Sequence, residues 1–309
     1  MDKLEVVPLT GRIGAEVRGV RLTPDLRPST ARSIHESWLQ HKVLFFRGQH
    51  HLDDATQEAL AWIFGGDAMA HPTVPAPVGT GFIYELDSRL GAASYWHTDL
   101  SWAPELPRGA ILRAVEVPSC GGDTLWANTA TAYDDLSPRL RAVAERRWAL
   151  HSNAPVRDGG GPDQESTSQR AFWAAFHSTV FETWQPLVHV HPETRERCLL
   201  LGMFLRRIAG MPVRRSAALY AVLQGYVTRP ENTVRWHWAA GDVAVWDNRA
   251  TQHYATADYG DARRVMRRVS FDGAPTASVY GQSSWSSNDG GTRHSSGVRT
   301  GSVSSMLRG

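Results

Sequence analysis

The chain has little cysteine, almost no net charge and no long apolar run, and each shortage excludes a class of protein. Two cysteines, Cys120 and Cys198, among 309 residues leave no disulfide framework and no cysteine-based metal spacing. Each reads as a small buried hydrophobe. Basic and acidic residues number 33 and 31, for a formal net charge of +2, so no broad field points to nucleic acid or an anionic membrane as partner. No stretch reaches the roughly 18 consecutive apolar residues of a membrane span, and the opening MDKLEVVPLTGRIG lacks the apolar core of a signal peptide. A cytoplasmic protein with no nucleic-acid or membrane partner is expected. No internal repeat is visible.

What is present suits a globular protein, with 42% hydrophobic and 21% charged residues. Arginine supplies nearly all the positive charge, and its planar fork suits bidentate recognition of carboxylates and oxyanions. Most of the 12 tryptophans read as packing, but Trp96, Trp102, Trp126 and Trp246 stand beside the candidate site residues.

The organising stretch is Tyr95 to Asn128, which begins Y-W-H-T-D. An extended chain points residues i and i+2 to the same side, so His97 and Asp99 can converge on one point. An imidazole and a carboxylate, completed by a distant second histidine, make the facial triad that suits non-heme Fe(II) and leaves positions open. With 13 histidines a stray H-x-D is expected. His51-Leu52-Asp53 is one, and reads as solvated loop and helix cap.

The periodicity predicts a strand at Ile13–Val17, a helix from Pro28 to about Gln40 and a buried strand at Val43–Phe46. A helix over 53–64, with Ala59, Leu60, Trp62 and Ile63 on its apolar side, ends at Gly65-Gly66. Further strands are expected at 82–86, 109–117, 123–127, 187–190, 198–201, 234–238 and 243–246, and helices over 131–150 and 214–227. Between 151 and 185 a Gly159-Gly160-Gly161-Pro162 loop precedes an aromatic stretch (Phe172, Trp173, Phe176, Phe181, Trp184), the pattern of a lid insertion. Residues 1–281 read as one domain and 282–309 as a Ser/Gly-rich, disordered tail. Many short strands with Gly/Pro turns, plus flanking helices, imply a mostly β (α+β) jelly roll, a double-stranded β-helix of the cupin kind. In such a fold, strands distant in sequence lie side by side, so His97 and His253 could share one ion.

Four blocks, W-H-T-D at 96–99, G-G-D-T-L-W-A at 121–127, W-D-N-R-A-T-Q-H at 246–253 and R-R-V-M-R-R at 263–268, resemble those of the taurine dioxygenase-like Fe(II)/2-oxoglutarate-dependent oxygenases. The resemblance runs from about Val7 to Gly281. K-V-L-F-F-R-G-Q-H at 42–50, H-P-E-T at 191–194 and R-P-E-N-T at 229–233 make it greatest to the bacterial alkylsulfatase branch. It implies that His97, Asp99 and His253 ligate Fe(II), and that Arg264, helped by the Thr124 hydroxyl, holds the distal carboxylate of 2-oxoglutarate, with O2 as the other co-substrate. It also implies that His71, Arg268 and the Leu100 backbone N–H hold the substrate's anionic head, and that the protein is a homo-oligomer. Arg264 and Arg268, four apart on a strand, should share a face, and loss of Arg268 is expected to spare substrate-independent 2-oxoglutarate turnover.

The chain departs from the taurine pattern at Val74, where a tyrosine is expected, and at Ala93, where an asparagine is expected. Losing both polar contacts favours an organic anion with an apolar tail. An alkyl sulfate, oxidised next to its ester oxygen and released as aldehyde plus sulfate, fits best. Alternatives are hydroxylation, desaturation or cleavage of a sulfonate, phosphate ester or carboxylated metabolite, as in natural-product biosynthesis. A non-enzymatic metal-bearing jelly roll or a zinc hydrolase would have no need of the oxoacid clamp.

Overall fold

The computed structural model describes residues 4–91, 93–155 and 166–287. The strand Val43–Phe46 is apolar and buried at every position, because it is covered on both faces. Leu44 and Phe46 face the helix Pro28–His41 and the 3-10 turn Ala61–Phe64, packing with Ile34, Trp38 and Phe64. Val43 and Phe45 face a second sheet, where Phe45 stacks on Trp236 at 4.2 Å and meets Trp126 edge-on at 5.3 Å. The same alternation in Val243–Asp247 sends Val243 and Val245 toward the helices and Ala244 and Trp246 toward the second sheet.

The main sheet has eight strands, ordered Glu5–Pro8, Ala15–Arg18, Val43–Phe46, Val243–Asp247, Leu106–Glu116, Val265–Ala274 and Ala68–Met69, with Tyr84–Asp87 also paired to Val265–Ala274. Against it lies a three-stranded sheet of Thr233–Trp236, Thr124–Asn128 and Thr251–Ala255. Ala15–Arg18 runs parallel to Val43–Phe46, and the other pairings of the main sheet are antiparallel. Two packed, largely antiparallel sheets with helices flanking them are the expected jelly roll. A four-stranded sheet (Leu205–Ile208, Trp148–Ser152, Glu182–Pro186, Trp285–Ser286) and the hairpin Val188–Val190/Arg197–Leu199 complete the strands. Among the described residues no helix is long and apolar enough to cross a membrane.

Several elements differ from expectation. The single helix over 131–150 is instead Thr129–Asp134, Pro138–Glu145 and a strand beginning at Trp148. Ser137 caps a new helix by accepting from Leu140 N–H, with Pro138 in its first turn. The helix over 53–64 stops at Ala59 and tightens into a 3-10 turn, Ala61–Phe64. That turn advances faster per residue, so Ala59 and Trp62 are exposed while Leu60 and Ile63 stay buried with Phe64. Asp53 caps this helix, its carboxylate accepting from Thr56 N–H at 2.7 Å, as read. Cys198 is buried but Cys120 is exposed, because the Gly121-Gly122 turn leaves it outside the sheets. Trp285–Ser286, inside the expected loose tail, form a strand on Glu182–Pro186, and Trp285 stacks with Trp184. Gly159–Pro162 and residues 288–309 lie outside the described residues.

Candidate active site

His253 sits in Thr251–Ala255 and faces His97 across an isolated antiparallel bridge. Each backbone donates to the other: His97 N–H to His253 O at 3.0 Å, and His253 N–H to His97 O at 2.8 Å. This mutual pairing holds the two imidazoles 4.1 Å apart between centroids. Asp99 is fixed the same way by a side chain. Asn248 accepts from Asp99 N–H at 2.9 Å and donates to Asp99 O at 2.9 Å. One potential ligand atom from each of His97, Asp99 and His253 lies within 4.8 Å of the others, and all three residues are buried.

The donor set fits a divalent transition metal. His97 Nδ1 pairs with the Tyr95 carbonyl at 2.8 Å; a carbonyl only accepts, so Nδ1 carries the proton and Nε2 keeps a free lone pair. Burial lowers the pKa of both histidines, with each other's proximity adding to this at His253, so both rings are neutral. Burial works to raise the pKa of Asp99, but the opposing interactions, with attraction from Arg268 the largest of them, outweigh it and hold the carboxyl below its usual range. The result is an ionised carboxylate beside two neutral imidazoles. Among the described residues Asp99 Oδ2 is buried without a hydrogen-bond partner, an arrangement that costs free energy unless something is coordinated there.

Two backbone features shape this corner. Leu100 has φ 50°, a left-handed value that costs a leucine about 1–3 kcal/mol and tends to occur at functional sites. Its side chain is buried against Trp102, Ala103 and Phe204, so its N–H lies at the turn that follows Asp99. Gly202 has φ +98°, and a Cβ there would lie 3.0 Å from His97 Cα. Only glycine lets the 201–204 segment lie this close to the histidine.

Arg264 and Thr124 meet beside the triad. Arg264 donates through Nε to Gly122 O at 2.9 Å and through Nη2 to Thr124 Oγ1 at 3.2 Å. Thr124 Oγ1 also accepts from Trp238 Nε1 at 3.0 Å. With two acceptor positions used, the hydroxyl's own hydrogen is free to donate outward. Arg264, Thr124, Arg268, His97, His253 and Tyr259 line one cavity, so the two arginines do share a face despite a register shift between Val265 and Met266.

Arg268 donates through Nη1 to Asp99 Oδ1, while its buried Nε has no partner among the described residues. His71 Nδ1 accepts from the N–H groups of Val74 at 3.0 Å and Thr73 at 3.3 Å, which leaves the proton on Nε2. Burial, then repulsion from Arg268, lowers the His71 pKa to about 3, so the ring is a neutral N–H donor. It stacks on Tyr84 at 4.8 Å.

The adjoining chamber is largely aromatic, lined by Tyr84, Tyr95, Phe172, Trp173 and Phe176 together with Ala93, and its two carboxylates, Glu85 and Asp87, are paired with Arg267 and with Arg89 and Arg263. Helix Thr167–Phe176 supplies three of those rings. The buried Asn153 clasps the chain behind the helix, donating to Phe176 O and Thr179 O and accepting from Phe181 N–H. Phe181 packs on Trp102 at 5.4 Å. Trp184, expected with these rings, packs instead on Trp285 and under Arg207, because strand alternation turns it to the other face. Asn248, Gly202, Trp238 and Tyr84 escaped the sequence reading. Only Asn248 carried a signal, as part of the W-D-N-R-A-T-Q-H block.

With this geometry in place, the family described as taurine catabolism dioxygenase TauD, TfdA family matches residues 5–270. The chain belongs to that family. An alpha-ketoglutarate-dependent sulfate ester dioxygenase from Pseudomonas putida is 50% identical over 93% of this chain and 96% of its own length. An alkylsulfatase from Acinetobacter baylyi is 51% identical over 91% of this chain and 88% of its own. The crystal structure of a taurine dioxygenase from Burkholderia xenovorans, 35% identical, covers 92% of this chain and 96% of its own, with a TM-score of 0.76. As a TauD/TfdA member the protein is a 2-oxoglutarate-dependent dioxygenase.

Proposed function

We propose that this TauD/TfdA dioxygenase cleaves alkyl sulfate esters oxidatively. His97, Asp99 and His253 would hold Fe(II), which together with 2-oxoglutarate and O2 supplies C–H oxidation when bound. Arg264 grips the distal carboxylate of 2-oxoglutarate with its remaining N–H groups, and Thr124 adds a directional donor. Arg268 and His71 hold the sulfate head, with the Leu100 N–H at the adjoining turn. The aromatic chamber excludes water and packs the carbon body, so that the carbon next to the ester oxygen faces the triad.

Overall, RCH2–OSO3⁻, 2-oxoglutarate and O2 give RCHO, HSO4⁻, succinate and CO2. The hydroxylated carbon still bears the sulfate; its C–O bond to sulfate breaks, the hydroxyl becomes the aldehyde carbonyl, and its proton leaves with sulfate. No hydrolytic nucleophile is needed.

The observation that carries this reading is the pair of donors, Arg268 on the triad cavity and the neutral His71, both packed against Tyr84 of the aromatic chamber. The sulfate-ester activity named for the two relatives at about half identity supports it. The test is substrate-triggered succinate formation, with anion release, across n-alkyl sulfates, matched carboxylates, sulfonates and phosphate esters. Sulfates should trigger turnover and release stoichiometric sulfate. Turnover with carboxylates or phosphates and with no sulfate would defeat the ester reading and leave the dioxygenase.

Arg264→Ala is expected to raise the 2-oxoglutarate concentration needed for half-maximal turnover. Losing the cationic partner of a buried carboxylate costs about 2–5 kcal/mol, roughly 30-fold to several thousandfold. A succinate assay against 2-oxoglutarate concentration checks it, and an unchanged requirement would remove Arg264 from the co-substrate site.

A further inference from the structure

The taurine pattern's tyrosine is absent at Val74, yet a tyrosine reaches the same histidine from another element. Tyr84 lies directly opposite Arg268 in the pairing of Tyr84–Asp87 with Val265–Ala274. Directly opposed residues project to one side of a sheet, their Cβ atoms about 5 Å apart. The Arg268 guanidinium accordingly sits 4.7 Å from the Tyr84 ring centre, and the His71 ring is nearly parallel to the same ring, at 14°. One phenol thus touches both groups assigned to the anionic head.

Tyr84 also faces the right space. Leu86, two residues on and so on the same side of the strand, lines both the triad cavity and the aromatic chamber. Tyr84 lines that chamber with Tyr95 and Phe176. Among the described residues no group hydrogen-bonds its phenol oxygen, and burial raises its pKa further above the physiological range, so the hydroxyl keeps its proton. A largely buried tyrosine usually finds a partner for its O–H; here the chamber's occupant would be that partner.

We propose that Tyr84 is a specificity-determining residue whose phenolic O–H donates to an oxygen of the substrate's anionic head, making a third side-chain donor beside His71 and Arg268 and the backbone N–H of Leu100. The inference rests on the head-group reading above. It modifies the sequence expectation that the site is poorer in polar contacts than a taurine site. The asparagine's place is still apolar at Ala93, but a tyrosine's hydroxyl is restored from a different strand. The combination suits an anion with a mainly apolar body, because the donors assigned to the head cluster at one end and the two carboxylates lining the chamber, Glu85 and Asp87, are paired with arginines.

Tyr84→Phe is the test, since it removes the O–H and keeps the ring that stacks on His71. In the full-length enzyme, the KM for n-hexyl sulfate should rise roughly 10- to 100-fold, the range expected for one hydrogen bond to a charged group. The kcat, the 2-oxoglutarate requirement, substrate-independent 2-oxoglutarate decarboxylation and Tm should stay near wild type. A purely structural tyrosine would show no KM change in the Phe variant, and that result overturns the proposal. If a carboxylate or phosphate ester rather than a sulfate triggers the wild-type enzyme, the ester reading falls, and the Tyr84 contact is decided by the KM of that anion in the same variant. A wild-type enzyme that responds to none of these anions overturns the head-group reading and the Tyr84 contact with it.

Discussion

His253→Ala should abolish substrate-triggered succinate formation and weaken divalent-metal binding by more than about 100-fold. Loss of an outer partner of a metal ligand already costs about 10–100-fold, and His253 offers a donor atom of its own. Nothing nearby can take its place, because the triad is the group of clustered metal-binding side chains found among the described residues. The strand should survive, since its pairings to Thr124–Asn128 and to His97 are made by backbone atoms. Co(II) titration of the metal-free variant, with a thermal melt beside it, separates loss of the ligand from loss of the fold. Wild-type metal affinity in the variant would remove His253 from the metal site.

Arg268→Met should raise the substrate KM by roughly 30-fold to several thousandfold, because the anion would lose its main charged partner at a cost of about 2–5 kcal/mol. Methionine keeps much of the side-chain volume, so the effect reports charge and hydrogen bonding. The pair with Asp99 revises the expectation that substrate-independent turnover is spared. Arg268 contributes the largest attraction keeping Asp99 ionised and orients Oδ1, which makes it an outer partner of the triad as well as the proposed head-group ligand. Substrate-independent 2-oxoglutarate decarboxylation should therefore fall too, by a smaller factor of about 10–100. Arg268→Lys keeps the charge and loses the fork, so it should recover uncoupled turnover better than substrate affinity. Equal wild-type KM values in all three proteins would move the anion site elsewhere.

The triad is legible in the sequence because its logic is local at one end and motif-borne at the other. His97 and Asp99 share a side by strand alternation, and His253 sits in a block long enough to identify. Arg264 and Thr124 are legible only through the family resemblance; an arginine on an alternating strand has an ordinary surface role until Gly122 and Trp238 are seen around it. Tyr84 was out of reach for a different reason. Alternation groups it with Leu86 on one face, but which strand lies opposite, and in what register, is decided by tertiary pairing. The misread helix over 131–150 has a similar origin: apolar spacing persists through Ser137-Pro138 and into Trp148, although the chain changes element twice. Composition groups the aromatic stretch 172–184, but it cannot tell a helix face lining a chamber from a strand residue turned away from it.

Because His97 and His253 exchange both backbone hydrogen bonds, the gap between their imidazoles is set by strand pairing and not by whatever ion lies between them. Small metallo-domains that fold only when loaded spend their binding energy on ordering the chain; here that ordering is already done. A chelator would thus leave a folded apoprotein, ready to take up the next divalent ion it meets. A site built in advance from two imidazoles and a carboxylate has little means of refusing the wrong one, and Fe(II) stands low in the Irving–Williams order, below cobalt, nickel and copper. Correct metallation would then depend on which ion the surroundings supply, and zinc or copper, once seated, would silence the enzyme without disturbing its structure.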